Sequence, residues 1–517
     1  MASVTLDAMI KRADFAQETE DKSMQLFRTM RLSDLYPSEP TVKMLRKPDF
    51  QRETNHWKPQ QVATFIDSFT KGELIPSLIL WKSNSLIFVI DGAHRLSALR
   101  SWVENDYGDN NVSTTFFNNE LSKAQKSTAK QTRKLVENTV GRFSDLKNKY
   151  NDDIVVSEDE QELLSRIFTR SIDVQWIQGS QEVAESSFFK INTQGTPLDK
   201  TEELLLRYRH TSYAIAARAI VRAGSGHKYW SKFSEDKRSQ IEEKAKFLYD
   251  SLFQPDLDQP IRTMDLPIGG TVSPVNALKM LLDIFAAVEG KVELVSFLKK
   301  LGTDEDGSET IQVLDSTLKL VSRITTTSHG SLGLHPAVYF YDHKGRHSRH
   351  LFLGTLTLIS KAIRDNNKTF FKKFITARKE LEGMLMDKKF AIGLALTNVN
   401  SKTRVEKFSS LLSEAVIAYN NDQKFGDKEI LSALGLEGEI ASISAIKRPR
   451  SFSTSAKSAI FLKQSLQAAS KCPICNGLLD PAKAASYDHI LARREGGTGE
   501  VENGQITHPY CNTGIKN

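Results

Sequence analysis

The chain has 517 residues with 39% hydrophobic and 26% charged, and Lys and Arg exceed Asp and Glu by seven. That places it among globular proteins that bury real cores, with a length suited to about three domains, and the mild positive charge fits an anionic partner without establishing one. No stretch approaches the ~18 uninterrupted apolar residues of a membrane span, and Met1-Ala-Ser-Val-Thr-Leu-Asp is not a charged region followed by an apolar run, so neither a membrane span nor a secretory leader is expected.

Residues 1–44 read as a polar, helix-leaning lead-in. From Phe50-Gln51-Arg52-Glu53 and Trp57 the pattern sharpens, and Val62, Phe65, Ile66 and Phe69 recur at helical spacing, which predicts a helix that Gly72 ends. Leu78-Ile79-Leu80-Trp81 and Leu86 to Ile90 read as buried strands. The second runs into Asp91-Gly92-Ala93-His94-Arg95, with a helix beginning near Leu96. A strand, a glycine turn and a helix start bring backbone N–H groups and Arg95 together, a natural seat for a phosphate. Ile172, Val174 and Trp176 alternate in a third strand. A helix then leads into Phe188-Phe-Lys-Ile-Asn192-Thr193-Gln-Gly195-Thr-Pro197-Leu198, and Asp199 with Glu202 suits a helix cap.

These three stretches occur in the order seen in GmrSD-type restriction proteins. Asp91-Gly-Ala-His-Arg95 with Phe50-Gln51-Arg52 resembles that family's Asp-Gly-Gln-Gln-Arg motif, and Phe188 to Leu198 resembles its Phe-x-x-x-Asn-Thr-x-Gly-x-Pro-Leu signature. The resemblance implies a ParB/sulfiredoxin-like α/β domain over 45–210 that binds a nucleotide (an NTP) or senses a DNA feature. It would do so through Gln51, Arg52, Asp91, Gly92, His94, Arg95, Asn192 and Thr193. Ala93 stands where sulfiredoxin has its catalytic cysteine, so sulfur chemistry is excluded. The other reading of Asp91–Arg95 is a structural turn with an arginine salt bridge.

Residues 118–150 are polar and lysine-rich, a solvated helical excursion or loop, with a DNA-facing strip as the second reading. From 211 to 436 the pattern is helical, with helices expected over 277–288 after Ser273-Pro274, and over 311–324, 351–363 and 405–417. The segment His329 to His350 holds five of the eleven histidines at spacings that suit no metal motif, and reads as a packed turn with a basic edge. Residues 437–471 read as a flexible basic linker, through Lys447, Arg448, Arg450, Lys457, Lys463 and Lys471, that keeps the C-terminal segment mobile or holds DNA by its phosphates.

Residues 472–517 are the most specific stretch of the chain. Cys472-Pro-Ile-Cys475 and His508-Pro-Tyr-Cys511 supply four ligands at the spacing of a tetrahedral zinc site, and they use every cysteine the chain has. With none left to pair, a reducing, cytoplasmic setting is expected. Between the two pairs lie Tyr487-Asp488-His489-Ile490, Gly496-Gly497 and Glu502-Asn503, and Asn512 comes directly after Cys511.

This pattern resembles the ββα-metal motif of HNH endonucleases. The resemblance implies that His489 is the general base, Asn503 holds it in position, and Asp488 and Asn512 bind Mg2+ or Mn2+. Zn2+ would hold the small module rigid. Asn512 in place of histidine and His508 in place of cysteine are departures that remain chemically workable.

The expected architecture is therefore α+β and multidomain. It comprises a ParB/sulfiredoxin-like domain (45–210), a helical domain (211–436), a basic linker (437–471) and a zinc-stabilised HNH module (472–517). The expected activity is metal-dependent DNA cleavage of restriction or antiphage-defence type, controlled by the N-terminal domain. The alternatives are a nucleotide-switched DNA-binding protein whose HNH fold only grips, and an N-terminal nucleotidyl or phosphate transferase with a targeting tail. Oligomerisation is left open.

Overall fold

The computed structural model describes the chain apart from residues 1–2, 14–25, 49–56, 84, 120, 152–156, 195–199, 225–227, 273, 292–297, 299, 402, 437–450 and 517, and apart from the side chains of 182, 189, 192–194, 200, 202, 274 and 275. Contacts divide it into two compact units, one of residues 1–209 with 225–231, the other of 210–224 with 232–517. No helix among the described residues is long and apolar enough to cross a membrane.

The first unit is built on a six-stranded mixed sheet. Its strands are β1 (Arg12–Ala13), β2 (Thr29–Arg31), β3 (Leu45–Pro48), β4 (Leu78–Ser83), β5 (Leu86–Asp91) and β6 (Ser171–Trp176), in the spatial order β1-β3-β5-β4-β6-β2. β4 and β5 pair antiparallel, while β3 with β5 and β4 with β6 are parallel. Strand alternation explains why both faces are covered. Leu78, Leu80, Ile87 and Val89 meet Val62, Ile66, Phe69, Leu96 and Leu99 on one side. Trp81, Phe88 and Ile90 meet Ala184, Phe188 and Leu206 on the other. The helix predicted from Val62 to Phe69 spans Pro59–Lys71 and ends on Gly72 at φ 80°, a left-handed cap that favours glycine.

The described residues before β3 belong to the sheet and core of this unit. Val4, Leu6, Ala8, Met9 and Ile10 are buried in the core, and β1 pairs with β3. Asp7 holds both Lys47, at 2.6 Å, and Arg12, with all three side chains almost wholly buried. Residues 118–150 also do more than decorate the surface. Helix Lys123–Thr139 buries Thr128, Ala129, Thr132 and Val136, a stripe at helical spacing that its many lysines mask in the sequence.

The second unit is helical, and includes Ser212–Val221, Glu235–Phe253, Pro274–Glu289, Ser308–Ile324, Arg349–Arg364 and Arg404–Asn420. The last four cover the helices expected from periodicity. Ser273, read as a helix start, lies outside the described residues, as do 437–450 of the basic linker. The rest of that linker is not a tether: Thr454–Ala468 is a helix capped by Ser453, and buried Ser458 accepts the N–H of Ile261 at 2.9 Å. Beyond it, β7 (Ser486–His489) and β8 (Gly504–Thr507) form an antiparallel hairpin that pairs Asp488 with Gln505 and His489 with Gly504. A final turn, Cys511–Ile515, closes the described chain.

Candidate metal centre and active-site hairpin

Cys472, Cys475, His508 and Cys511 converge in the second unit. All four are buried, with their ligand atoms within 4.8 Å of one another. The Cys-x-x-Cys knuckle closes through the N–H of Asn476 on the Cys472 carbonyl and the N–H of Cys472 on Gly477 O, both at 2.8 Å. His508 presents Nδ1 to the thiols, 3.4 Å from Cys475 Sγ, while its Nε2 lies 2.9 Å from Leu478 O. That outer bond fixes the tautomer that leaves Nδ1 free to ligate. Burial, then the charge of Arg378, lowers the His508 pKa and keeps the ring neutral. Hydrogen bonds from Cys475 and Cys511 pull the Cys472 thiol far below its ordinary range. One imidazole and three cysteine sulfurs, all buried and converging, fit a soft divalent metal such as zinc.

The metal knuckle is not a free tail. Gly477 lies against Arg378, and a Cβ there would collide with its side chain. Arg378, wholly buried, donates to Glu382 at 2.7 Å and to Gly333 O at 2.9 Å. Glu382 in turn accepts the N–H of Leu478 at 2.6 Å and the hydroxyl of Tyr339. The Tyr510 N–H donates to Ser331 O, and Lys483 donates to the carbonyls of Gln254 and Leu266. The histidine-rich segment therefore acts as a packed seat. His335 is buried and its pKa is lowered to about 4 by that burial. His347 packs against Ile268 O at 2.8 Å.

On the hairpin, the two-residue repeat turns Asp488 and His489 to opposite faces. Asp488 points to the final turn, where its Oδ2 accepts Gln505 Nε2 and Lys516 Nζ, each at 2.8 Å. His489 lies on the side of exposed Tyr487, and its Nε2 accepts Arg493 Nε at 3.2 Å. The side-chain hydrogen bonds of Asn503 go to Leu491 and Thr498. Asn503 thus clamps the loop after His489, accepting Leu491 N at 2.7 Å and donating to Leu491 O and to Thr498 O at 2.8 Å. Gly497 is crowded by Leu491 O and Asn503 Nδ2, so only glycine fits that turn. Asn512 donates its amide to Ser486 Oγ at 2.9 Å and Tyr487 O at 3.3 Å.

Asp488 and His489 thus lie on β7, Asn503 directly before β8, and Asn512 on the final turn that meets β7. Arg493, Gln505 and Lys516 join them although no motif marks them; Arg493 alone lies close in sequence, four residues after His489. The expected Mg2+ or Mn2+ seat does not fit as it stands. The carboxylate that would ligate it is ion-paired with Lys516, whose side chain is 27% exposed against 8% for Asp488.

In the first unit, Gly92 at φ 97° starts helix Ala93–Val103. A Cβ on Gly92 would meet Leu78, so the turn requires glycine. Arg95 donates to Asp91 at 2.8 Å and to Ser77 O at 3.2 Å, and His94 stacks on Trp57 at 5.7 Å between ring centroids. Residues 51 and 52 lie outside the described residues, and so do the side chains of Asn192 and Thr193, whose backbone ends helix Gln181–Gln194. Residues 32–209 match one family model.

That family is the GmrSD restriction endonuclease N-terminal domain. The GmrSD-type match spans β3 to β6 and omits residues 4–13, which the sheet and core include. Neither a curated protein nor a solved structure matches the chain.

Proposed function

We propose that this protein is a DNA endonuclease of restriction or antiphage-defence type, in which the zinc-held hairpin cuts and the GmrSD-type domain controls it. One observation carries the reading: a chain with a GmrSD-type N-terminal segment also brings Asp488, His489 and Asn503 together on a hairpin stapled by a buried Cys3His cluster.

The chemistry comes from the positions. Arg493 donates to His489 Nε2, so that nitrogen carries its lone pair and can take a proton from water attacking a phosphodiester. When a phosphate draws Arg493 away, the base is freed and the guanidinium meets the developing charge. Asn503 holds the loop that carries Arg493, and so sets the angle between base and guanidinium. Zinc, bound by Cys472, Cys475, His508 and Cys511, would supply rigidity, because a closed four-ligand site has no open position for substrate.

A nucleotide at Asp91–Arg95 is a separate part of the proposal. Its phosphate would sit at the start of helix Ala93–Val103 and compete with Asp91 for Arg95. Occupancy would then release that ion pair, which gives the domain a switch for controlling cleavage.

The test is cleavage of plasmid and of modified phage DNA by wild type and His489→Ala, with and without divalent metal and each NTP. His489→Ala should lose cleavage and keep DNA binding, because a base acts in the transition state rather than in docking. Equal cutting by the variant overturns the assignment of His489. DNA bound but uncut by wild type under every condition would make the hairpin a grip.

A further inference from the structure

Lys516 fits neither of the two usual roles of a surface lysine, a solvated charge or a loose surface ion pair. It is mostly covered, and its Nζ contacts three oxygens: Asp488 Oδ2 at 2.8 Å, the carbonyl oxygen of His489, and Ile490 O at 3.5 Å. A carboxylate with neighbouring carbonyls is the hard-oxygen set that magnesium or manganese takes. An ammonium with three protons can satisfy such a set, and once there it leaves no room for a second cation of higher charge.

The placement is built in. Register pairs Asp488 with Gln505, so the carboxylate faces the final turn, and Gln505 Nε2 steadies the same oxygen that Lys516 holds. Lys516 stands four residues after Asn512, and so shares the face of the turn that meets the strand. Asn512 meanwhile directs its amide N–H groups to Ser486 and Tyr487, on the same strand.

We infer that the hairpin carries its own cation: the ammonium of Lys516 occupies the seat beside Asp488 and competes with divalent metal for it. The inference rests on the reading of the hairpin as a nuclease site only in giving that seat a purpose. The geometry stands without it. The lysine thereby acts as a positioning residue that sets how readily the site loads a divalent ion.

The experiment measures Mn2+ binding by the spin-resonance signal of the free ion, using the full chain with its zinc content checked. Lys516→Met should bind Mn2+ at least tenfold more tightly than wild type, and Lys516→Gln should behave alike. Lys516→Arg, which keeps the charge, should stay near wild type. Adding Asp488→Asn to Lys516→Met should remove the gained site. Unchanged Mn2+ affinity in both neutral variants overturns the inference, and so does a gained site that survives Asp488→Asn. Plasmid cleavage by wild type and His489→Ala, run beside it, separates the two readings. Cleavage that depends on His489 with no gain in Mn2+ affinity sinks the cation seat and leaves the nuclease. A gained site with no cleavage by any variant supports the seat and sinks the nuclease.

Discussion

Glu382 accepts the backbone N–H of Leu478 at 2.6 Å across 96 residues of sequence, while its other oxygen holds Arg378 at 2.7 Å. One buried carboxylate thus joins helix Arg378–Asp387 to the knuckle that carries Cys472 and Cys475, two of the four residues that could hold a metal. The metal module and the helical segment are one folding problem. Removing the carboxylate leaves a buried guanidinium without its countercharge, which costs roughly 3–5 kcal/mol. Glu382→Ala is therefore expected to lower the melting temperature and to reduce bound zinc together, as read by calorimetry and metal analysis. Lost stability with full zinc retention would show that the link is one of packing alone.

Zinc removal should run the same link in reverse. With the metal chelated, or in Cys475→Ser, the knuckle loses the bonds that hold it. Hydrogen exchange should then quicken in residues 472–515 and also in helix Arg378–Asp387. Exchange confined to the hairpin would mean that the two parts fold separately.

Asp480 gives the same region a pH dependence. Burial pushes its carboxyl up to about 6 from 3.8, with Lys483 opposing and Asp265 reinforcing the shift. A folded-state pKa above the unfolded one means that the folded form holds its proton more tightly. This contribution is complete below about pH 4 and is lost as pH rises through about 6. Asp480→Asn stays neutral, so at pH 7 it should exceed wild type by roughly 1–3 kcal/mol, with the difference vanishing toward pH 4. Melting both proteins across that range checks it; a constant offset would mean that ionisation is not the cause.

Asn503 tests the hairpin's internal order. Asn503→Ala removes its bonds to Leu491 and Thr498 and frees the loop that bears Arg493. Cleavage should fall roughly 10- to 100-fold by misplacement, while zinc content stays full. A rate equal to wild type would show that the loop's position is set elsewhere.

Asp7 makes a prediction for the first unit. Its carboxylate holds Arg12 and Lys47 where neither side chain reaches water. Asp7→Ala should destabilise that unit by about 3–5 kcal/mol, measured by denaturant unfolding. A change under about 1 kcal/mol, the worth of an exposed pair, would return residues 4–13 to the status of a loose lead-in.

How legible this protein is in sequence depends on the range of its interactions. The helix at Val62–Phe69 and the strands around Leu80, Val89 and Val174 could be read because burial repeats with the local period of the backbone. The metal cluster could be read because ligand spacing within two short knuckles is itself a local pattern. Local pattern thus specified which residues could hold the metal and which faces would be buried. It took the folded chain to show that Val4–Ile10 complete the first core, that the lysine-rich helix Lys123–Thr139 hides a buried stripe, and that helix Thr454–Ala468 fills what reads as a tether. The same holds for Lys516, which sits on Asp488 from 28 positions away. A salt bridge between distant residues leaves no period and no spacing in the chain, so a lysine bound for the protein's surface and one bound for a carboxylate look the same until the backbone brings them together.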